Sequence, residues 1–490
     1  MLAIQKKLTN SFYALLALPA TAMGFALSVQ ISALSWILST KYGLKIDEIG
    51  LVWAAGPIAG IFGQIIVGLI SDNVWFWGGR RKPFILIGGV IAALMLLALP
   101  SIDIISTSLG FEGILAVAIA VALSLDLAIN ISFNPTRSVI ADVTPEGTDR
   151  TKGYTWMQTI SGTFGVLAYF IGAVWNNYVL IYFGVGLVFL FSFVPPFFIE
   201  EPRNLQVQTS KESGKSYSIW AILKIIQPLW GFLLYGIYGI TMKIIRGEEA
   251  AEPSNYYVEY FLGGLTVVLI IQALARSEKG KSKEEAGAIG FKKILAAHAF
   301  TWVGVQSMFI YMFPYVQQKL PELSELDGGK VISWSFLVFN LVGALLPAFV
   351  LEPMTERIGR VKTHTICIGI MAAGYAGILF FGFNQTVIYI FMAVVGVGWA
   401  ATVSLPFAIM SQKINPAKMG LYMGLFNLSV VLPQLVASLG IGIAMELADN
   451  KSLLFIICAL SLAASAVAWM FVTEDEADGG APAAPASGGH

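Results

Sequence analysis

The chain has 490 residues, of which 57% are hydrophobic and 12% charged, and its thirty basic and thirty acidic side chains balance to zero. A soluble domain carries about 25% charged residues, so this chain cannot cover a water-facing surface of its own size. Soluble enzymes, nucleic-acid binders and disordered chains are excluded, which leaves a polytopic membrane protein. The two cysteines, Cys367 and Cys458, lie in apolar runs and read as small core residues. The three histidines, His298, His364 and His490, are too scattered for a zinc site. Neither a metal nor an organic cofactor is expected.

A membrane-crossing helix needs about 20 mostly apolar residues. In chain order, such runs predict six spans at about 12–38, 50–71, 84–101, 113–135, 155–175 and 178–199. Two further hydrophobic segments follow at about 218–242 and 256–275, and six more spans at about 295–316, 331–351, 363–383, 386–411, 419–445 and 452–472. An N-terminal leader is an alternative reading of the start, because Lys6-Lys7 precede an apolar stretch with Ala20-Thr21-Ala22. The apolar run continues unbroken to Trp36, however, so a first span is preferred.

Basic residues test this assignment independently, because cytoplasmic loops carry the excess of Lys and Arg. With the N-terminus inside, alternate segments hold twenty-two of the thirty, and the opposite loops hold seven. Both termini are therefore expected in the cytoplasm. The chain divides into a first bundle at 1–200, a central insert at 201–290, a second bundle at 291–473, and a tail at 474–490. The insert's segments form a spanning hairpin or, alternatively, two interfacial helices, and both options preserve the parity. The tail is acidic and then rich in Gly, Ala and Pro, and is expected to be disordered.

The two halves repeat a pattern. Gly68, Ser71 and Asp72 follow the second span, then Gly79-Arg80-Arg81-Lys82-Pro83; in the other half stand Glu356-Arg357-Ile358-Gly359-Arg360. An acid followed by Gly-Arg at equivalent positions suggests a transporter built from repeats. The expected cytoplasmic gate is a charge latch of Asp72, Arg80, Arg81, Asp142, Glu356, Arg357 and Arg360. Alternatively, these arginines only set topology.

A charge deep in an apolar span needs a reason. In the fourth span Asp126, Asn130, Asn134 and Arg137 fall within about 80° of one another on one helix face, with Arg137 about 16 Å further along than Asp126. Asp142 is expected at the cytoplasmic rim. A lone mid-membrane carboxyl beside amides suits proton coupling, since access to water on one side or the other lets it load and unload. The alternative is a structural aspartate paired with an arginine. Sodium would want several carboxylate oxygens, which the neighbouring spans lack.

The remaining candidates are uncharged. Gln30, Gln64, Gln158, Gln306, Asn340, Asn427 and Gln434 lie inside apolar spans, as do Trp36, Trp53, Trp156, Trp302, Trp334 and Trp399. Amides donate and accept, which suits sugar hydroxyls, and indoles stack on apolar ring faces. Helix–helix packing is the competing use of each. Gln30, Gln64, Asn130, Trp302, Gln306, Asn340, Trp399, Asn427 and Gln434 are the sugar-binding candidates; His298 reads as structural.

Several of these residues fall in motifs of a known family. Residues 24–84, with Gln30-Ile-Ser, Trp53, Gly56-Pro57, Gln64, Ser71-Asp72 and Gly79-Arg80-Arg81-Lys82-Pro83-Phe84, resemble the sucrose–proton symporter family of the major facilitator superfamily. That family comprises plant sucrose carriers, their animal relatives and bacterial disaccharide transporters. Leu125-Asp126 to Asn130, Pro135-Thr136-Arg137 and Ala141-Asp142 resemble its fourth-helix signature. Gly396 to Trp399 with Leu405-Pro406 resemble the tenth helix, and Gly420 to Asn427 with Pro433-Gln434 the eleventh.

The resemblance implies an all-α fold of twelve core helices in two pseudo-symmetric six-helix bundles. The two extra hydrophobic segments are unusual for the family. It further implies alternating access to a central sugar site, Asp126 as the protonation site, and Arg137 as its charge partner or a gating residue. The expected activity is proton-coupled import of a sucrose- or maltose-type disaccharide, by a monomer in the cytoplasmic membrane, with the proton as coupling ion. The rivals are a facilitator or exporter of another glycoside, and a non-transporting membrane receptor.

Overall fold

The computed structural model describes residues 7–61, 70, 74–110, 113–145, 147–202, 218–246, 255–414 and 419–474. Among them there is no strand, only an isolated bridge between Phe76 and Gly79. Among the described residues eleven helices are long and apolar enough to cross a membrane, or twelve if a bent pair is taken as one span. In lipid every backbone polar group must be satisfied within the segment, which leaves helices as the spanning element for such runs.

The first half contributes α1 (Asn10–Thr40), α2 (Ile46–Trp53), α3 (Lys82–Ala98), α4 (Ile114–Val143), α5 (Thr148–Val174) and α6 (Asn177–Phe193). The insert contributes α7 (Ile219–Ile225), α8 (Trp230–Arg246) and α9 (Tyr257–Leu274). The second half contributes α10 (Lys283–Lys319), α11 (Glu325–Leu346), α12 (Arg360–Phe381), α13 (Gln385–Gln412), α14 (Met419–Val436) and α15 (Leu453–Trp469). Side-chain caps start several of them. Thr9, Asn176 and Asn384 accept the backbone N–H of Phe12, Val179 and Val387, three residues on.

Several helices outrun their apolar cores. The third span continues through a 3₁₀ turn at Leu99–Ser101 to Leu109, where Gly110 closes it at φ +71°. α4 runs through Pro135 to Val143, and α10 begins at Lys283, well before the apolar run, because nothing in the preceding turns breaks a helix. The segment predicted at 218–242 is not one straight helix: Ile219–Ile225 and Gln227–Lys243 meet at 73°. Pro228 in the second residue of the Gln227–Leu229 turn explains the break, since its ring removes a helical hydrogen bond. The span predicted at 50–71 is helical at Ile46–Trp53 and again to residue 61, and its continuation at 62–69 lies outside the described residues.

The chain forms two compact units. One comprises Met1–Val207 with Ile310–Asn340, the other Gln208–Phe309 with Leu341–Gly489. In the first unit α1 packs on α5, and α3 on α4 and α6. Phe12, Leu16, Ile85, Ile140 and Met157 form one of its buried clusters. Lipid is as apolar as leucine, so close packing rather than exclusion from water holds such helices together. Gly88 shows this: a Cβ there would stand 2.6 Å from the Ala128 carbonyl oxygen of α4. In the second unit α12 packs on α13 and α15, and α8 packs on α14.

Candidate functional site

Asp126 lies in the middle of α4 and is 5% exposed. Its Oδ2 accepts a hydrogen bond from Gln30 Nε2 of α1 at 3.1 Å, the one side-chain donor to it among the described residues. Gly56 faces the same carboxylate; a Cβ there would sit 3.5 Å from Oδ2, so the glycine leaves a methyl-sized space beside it. Asn130 turns back one helical turn and donates Nδ2 to the Asp126 carbonyl oxygen at 2.8 Å. Gln64 and Asp72 lie outside the described residues.

Arg137 is eleven residues beyond Asp126 on the same helix, about 16 Å of rise, which is beyond the reach of a direct ion pair. Its guanidinium sits 4.5 Å over the Phe133 ring, and Tyr154 donates its hydroxyl to the Arg137 carbonyl oxygen at 3.2 Å. Asn340, at the edge of the first unit, donates to the Phe336 carbonyl oxygen at 2.9 Å, and the Tyr169 hydroxyl lies within hydrogen-bond reach of it and of Ser28.

A further polar cluster in this unit was not legible beforehand. Ser32, Asn177 and Ser333 are all buried; Ser32 and Ser333 share a hydrogen bond of 2.7 Å, and Ser333 donates to Asn177 Oδ1 at 3.0 Å. One turn along α1, Trp36 Nε1 donates to the Glu325 carbonyl oxygen at 2.8 Å. Isolated serines in apolar spans carry no signal that distinguishes such a cluster from ordinary packing.

In the second unit, Gln434 of α14 donates to Gln306 of α10 at 3.1 Å. Trp302 donates its indole N–H to His298 Nε2 at 2.9 Å, and the His298 ring stacks on Phe426 at 4.8 Å. His298 thus orients a candidate stacking residue. Trp399 stands edge-on to Trp302 at 6.1 Å and to Phe309 at 5.8 Å, while Asn427 is half-buried on α14. The unit therefore holds an amide pair and a run of five rings, those of Phe426, His298, Trp302, Trp399 and Phe309.

At the start of α3, Asp142 Oδ2 accepts Arg80 Nη2 at 3.1 Å and Arg81 Nε at 3.2 Å. Glu201, beyond the end of α6, accepts the backbone N–H groups of Arg80, Arg81 and Lys82 at 2.7–3.1 Å. The carboxylate meets three unpaired donors at the positive end of the helix dipole. The second half repeats the device at the start of α12, where Glu474 accepts the N–H groups of Arg360 and Val361. Both glycines of the Gly-Arg motif have a reason: a Cβ on Gly79 or Gly359 would stand 2.4 Å or 2.1 Å from the capping carboxylate. Glu356 and Arg357 are exposed. Among the described residues, the acids that cap the backbone N–H groups of Gly-Arg are thus those just after the sixth span of each half, a recurrence visible in Ile199-Glu200-Glu201 and Val472-Thr473-Glu474, while Asp142 meets the arginine side chains of the first copy.

Glu278 anchors a third ionic cluster, also missed by motif reading. It meets Lys293 at 3.0 Å and Lys413 at 3.2 Å, and accepts the Thr473 hydroxyl at 2.6 Å. Burial pushes its carboxyl up, but the Thr473 hydroxyl and the two ammonium groups outweigh this and hold it below the usual carboxylate range.

A sequence profile described as the Major Facilitator Superfamily matches residues 16–245 and 251–438. The chain belongs to the Major Facilitator Superfamily. It is 22% identical over 474 residues to a sucrose transport protein of Arabidopsis thaliana, covering 86% of this chain and 82% of the relative. It is 24% identical over 462 residues to a sucrose transport protein of rice, Oryza sativa subsp. indica, covering 86% and 84%. A general alpha-glucoside permease of Schizosaccharomyces pombe is 28% identical over 153 residues, 28% of each chain. Among solved structures of the superfamily's fold, the peptide transporter PepTSo superposes with a TM-score of 0.65 at 12% identity, covering 94% of this chain and 98% of that one. The nucleoside transporter NupG does so with a TM-score of 0.57 at 12% identity, covering 94% and 98%. The repeated helix-start device fits a Major Facilitator Superfamily chain built from two related halves.

Proposed function

We propose that the protein is a secondary transporter that carries a glycoside, a disaccharide of the sucrose or maltose type, into the cell together with a proton. The observation that carries this reading is Asp126: a buried carboxyl at the middle of a long apolar helix, oriented by a neutral amide rather than by a cation. A carboxylate permanently matched to an arginine would have no use for a proton, whereas one held by an amide takes the proton as its counter-charge. Arg137, too distant for direct pairing, then acts in gating. The amide pair Gln306–Gln434 and the rings of Trp302 and Trp399 suit hydroxyls and ring faces of a sugar. The curated relatives named for sucrose and alpha-glucosides support the substrate class.

The coupling is reciprocal: a proton that raises sugar affinity outside is itself held more tightly once sugar is bound. Protonation of Asp126 favours sugar binding outside, and deprotonation inside favours release. The monomer suffices for this cycle, with both termini in the cytoplasm.

The test is made with purified protein in liposomes. Lumenal pH is followed while sucrose, maltose or another glycoside is added outside, for the wild type and for Asp126→Asn. Sugar-dependent acidification that disappears in the variant, with sugar exchange retained, is the expected result. Sugar entry without proton movement, unaffected by the substitution, would leave a facilitator. Silence towards every glycoside would point to a receptor.

A further inference from the structure

Both ends of the insert meet α10 in a cluster of like charges. The short helix α7 carries Ile219 and Trp220 at 74% and 73% exposure and has no buried residue. The chain then turns by 73° into α8, and the bend is fixed by the Trp230 indole N–H, which donates to the Leu223 carbonyl oxygen at 2.9 Å. Lys224 stands exposed at this bend. Arg276 stands exposed just beyond α9, and Lys292 near the start of α10 donates to Gln227 Oε1 at 3.4 Å. Arg276 and Lys224 lie close enough for both charges to act on Lys292. Among the described residues none of the three forms an ion pair, and the nearby carboxylate of Glu278 is committed to Lys293 and Lys413.

Three cations gathered without a carboxylate repel one another, and an anion relieves the repulsion. The exposed tryptophan and isoleucine beside them suit the boundary between headgroups and acyl chains. A ligand with a phosphate and a hydrocarbon body matches both features. We infer that Lys224, Arg276 and Lys292, with the Ile219–Trp220 edge of α7, form a binding site for an anionic phospholipid of the cytoplasmic leaflet. The site rests on the orientation proposed above, with the Lys- and Arg-rich loops inside.

The insert also gives the lipid a route to the transport helices. Gly236 and Gly239 of α8 face Leu435 and Leu439, and a Cβ on Gly440 would stand 2.4 Å from the Tyr235 hydroxyl oxygen. A headgroup that steadies the bend between α7 and α8 steadies the helix packed on α14, which carries Asn427 and Gln434.

The experiment uses the full-length protein purified in detergent, with lipid retention followed by native mass spectrometry and thermal melting. Dioleoylphosphatidylglycerol is compared with dioleoylphosphatidylcholine and with inorganic phosphate, for the wild type and for Lys224→Gln/Arg276→Gln/Lys292→Gln. Phosphatidylglycerol should be retained and should raise the wild-type melting temperature above that in phosphatidylcholine. In the triple variant its affinity should fall on the order of tenfold or more, given the pull of each near-surface basic residue on anionic lipid. A variant that melts as the wild type does in phosphatidylcholine confirms that it is folded; should it not, Trp220→Ser and Lys292→Arg serve instead, the first weakening retention and the second preserving it. Equal phosphatidylglycerol retention by wild type and charge-removed protein would overturn the site. Stabilisation by inorganic phosphate equal to that by phosphatidylglycerol would overturn its assignment to a lipid. These readouts involve no sugar, so they stand apart from the transport test.

Discussion

Gln30 on α1 and Asp126 on α4, ninety-six residues apart, are joined by a 3.1 Å hydrogen bond from amide to carboxylate. The amide fixes the direction of the carboxyl without neutralising it. It therefore separates two roles that an arginine would merge, orientation and charge compensation.

Gln30→Leu keeps the side-chain size and removes the donor. A hydrogen bond to a charged group contributes about 1.5–3 kcal/mol, so the ionised carboxyl becomes harder to reach in the cycle. Sugar-driven proton entry in liposomes should fall about tenfold or more, while the elution profile of the purified protein stays that of the wild type. Unchanged proton entry would show that Gln30 is packing only.

The caps on α3 and α12 predict a matched pair of effects. Glu201→Gln and Glu474→Gln each weaken charge-assisted bonds at a helix N-terminus, where caps contribute about 0.5–2 kcal/mol. Glu201→Gln should lower the melting temperature more, because Glu201 meets three N–H groups and Glu474 two. Gly359→Ala should be worse than Glu474→Gln. It adds a φ of +88°, disfavoured for any residue with a Cβ, to the collision with the carboxylate. Thermal melts of the three variants decide both orderings.

Glu278 gives a pH signature. Its side chain is 9% exposed and those of Lys293 and Lys413 are 6% and 2% exposed, so solvent screens these pairs little. Glu278→Gln leaves two buried ammonium groups without their carboxylate, a loss of about 3–5 kcal/mol. Because the folded-state carboxyl is held below its ordinary value, its contribution is complete above about pH 4.3 and disappears as the pH falls through the folded-state value. The wild-type melting temperature should exceed that of Glu278→Gln at neutral pH, with the gap closing on acidification below about pH 4. A gap independent of pH would refute the ionic origin.

Gly88→Ala tests the close approach of α3 and α4. The added methyl meets both the Ser132 hydroxyl and the Ala128 carbonyl oxygen, and the second is backbone that cannot rotate away. The expected destabilisation is about 1–3 kcal/mol, read as a lower melting temperature. Adding Ser132→Gly should recover only part of it; full recovery would locate the clash in the side chain alone.

Much was legible in the sequence because hydropathy and charge are sums over neighbouring residues. Apolar runs located the helices, and the Gly-Arg motifs located the starts of α3 and α12. A single acid in an apolar run singled out Asp126, since burial in a long apolar helix follows from local composition alone. The helix lengths were less legible, because α4 and α10 continue into polar residues that nothing forces out of a helix.

Partnership was the part left to tertiary structure. Hydrogen-bond and ionic partners are chosen by which faces the packed helices turn towards one another, and that choice leaves no trace in local periodicity. Glu201 reaches back about 120 residues to cap α3, Ser32 meets Ser333 across 301, and Glu278 gathers Lys413 from 135 away. By itself the sequence determined that this chain lives in a membrane, where its helices run and which carboxyl is buried among them. Only the tertiary structure decided that an amide holds that carboxyl, that glutamates beyond the sixth helices cap the Gly-Arg turns, and that Lys224 and Arg276 of the insert stand near Lys292 of α10. The reason is physical: transfer free energy accumulates residue by residue along the chain, whereas a pair exists only once two distant surfaces meet.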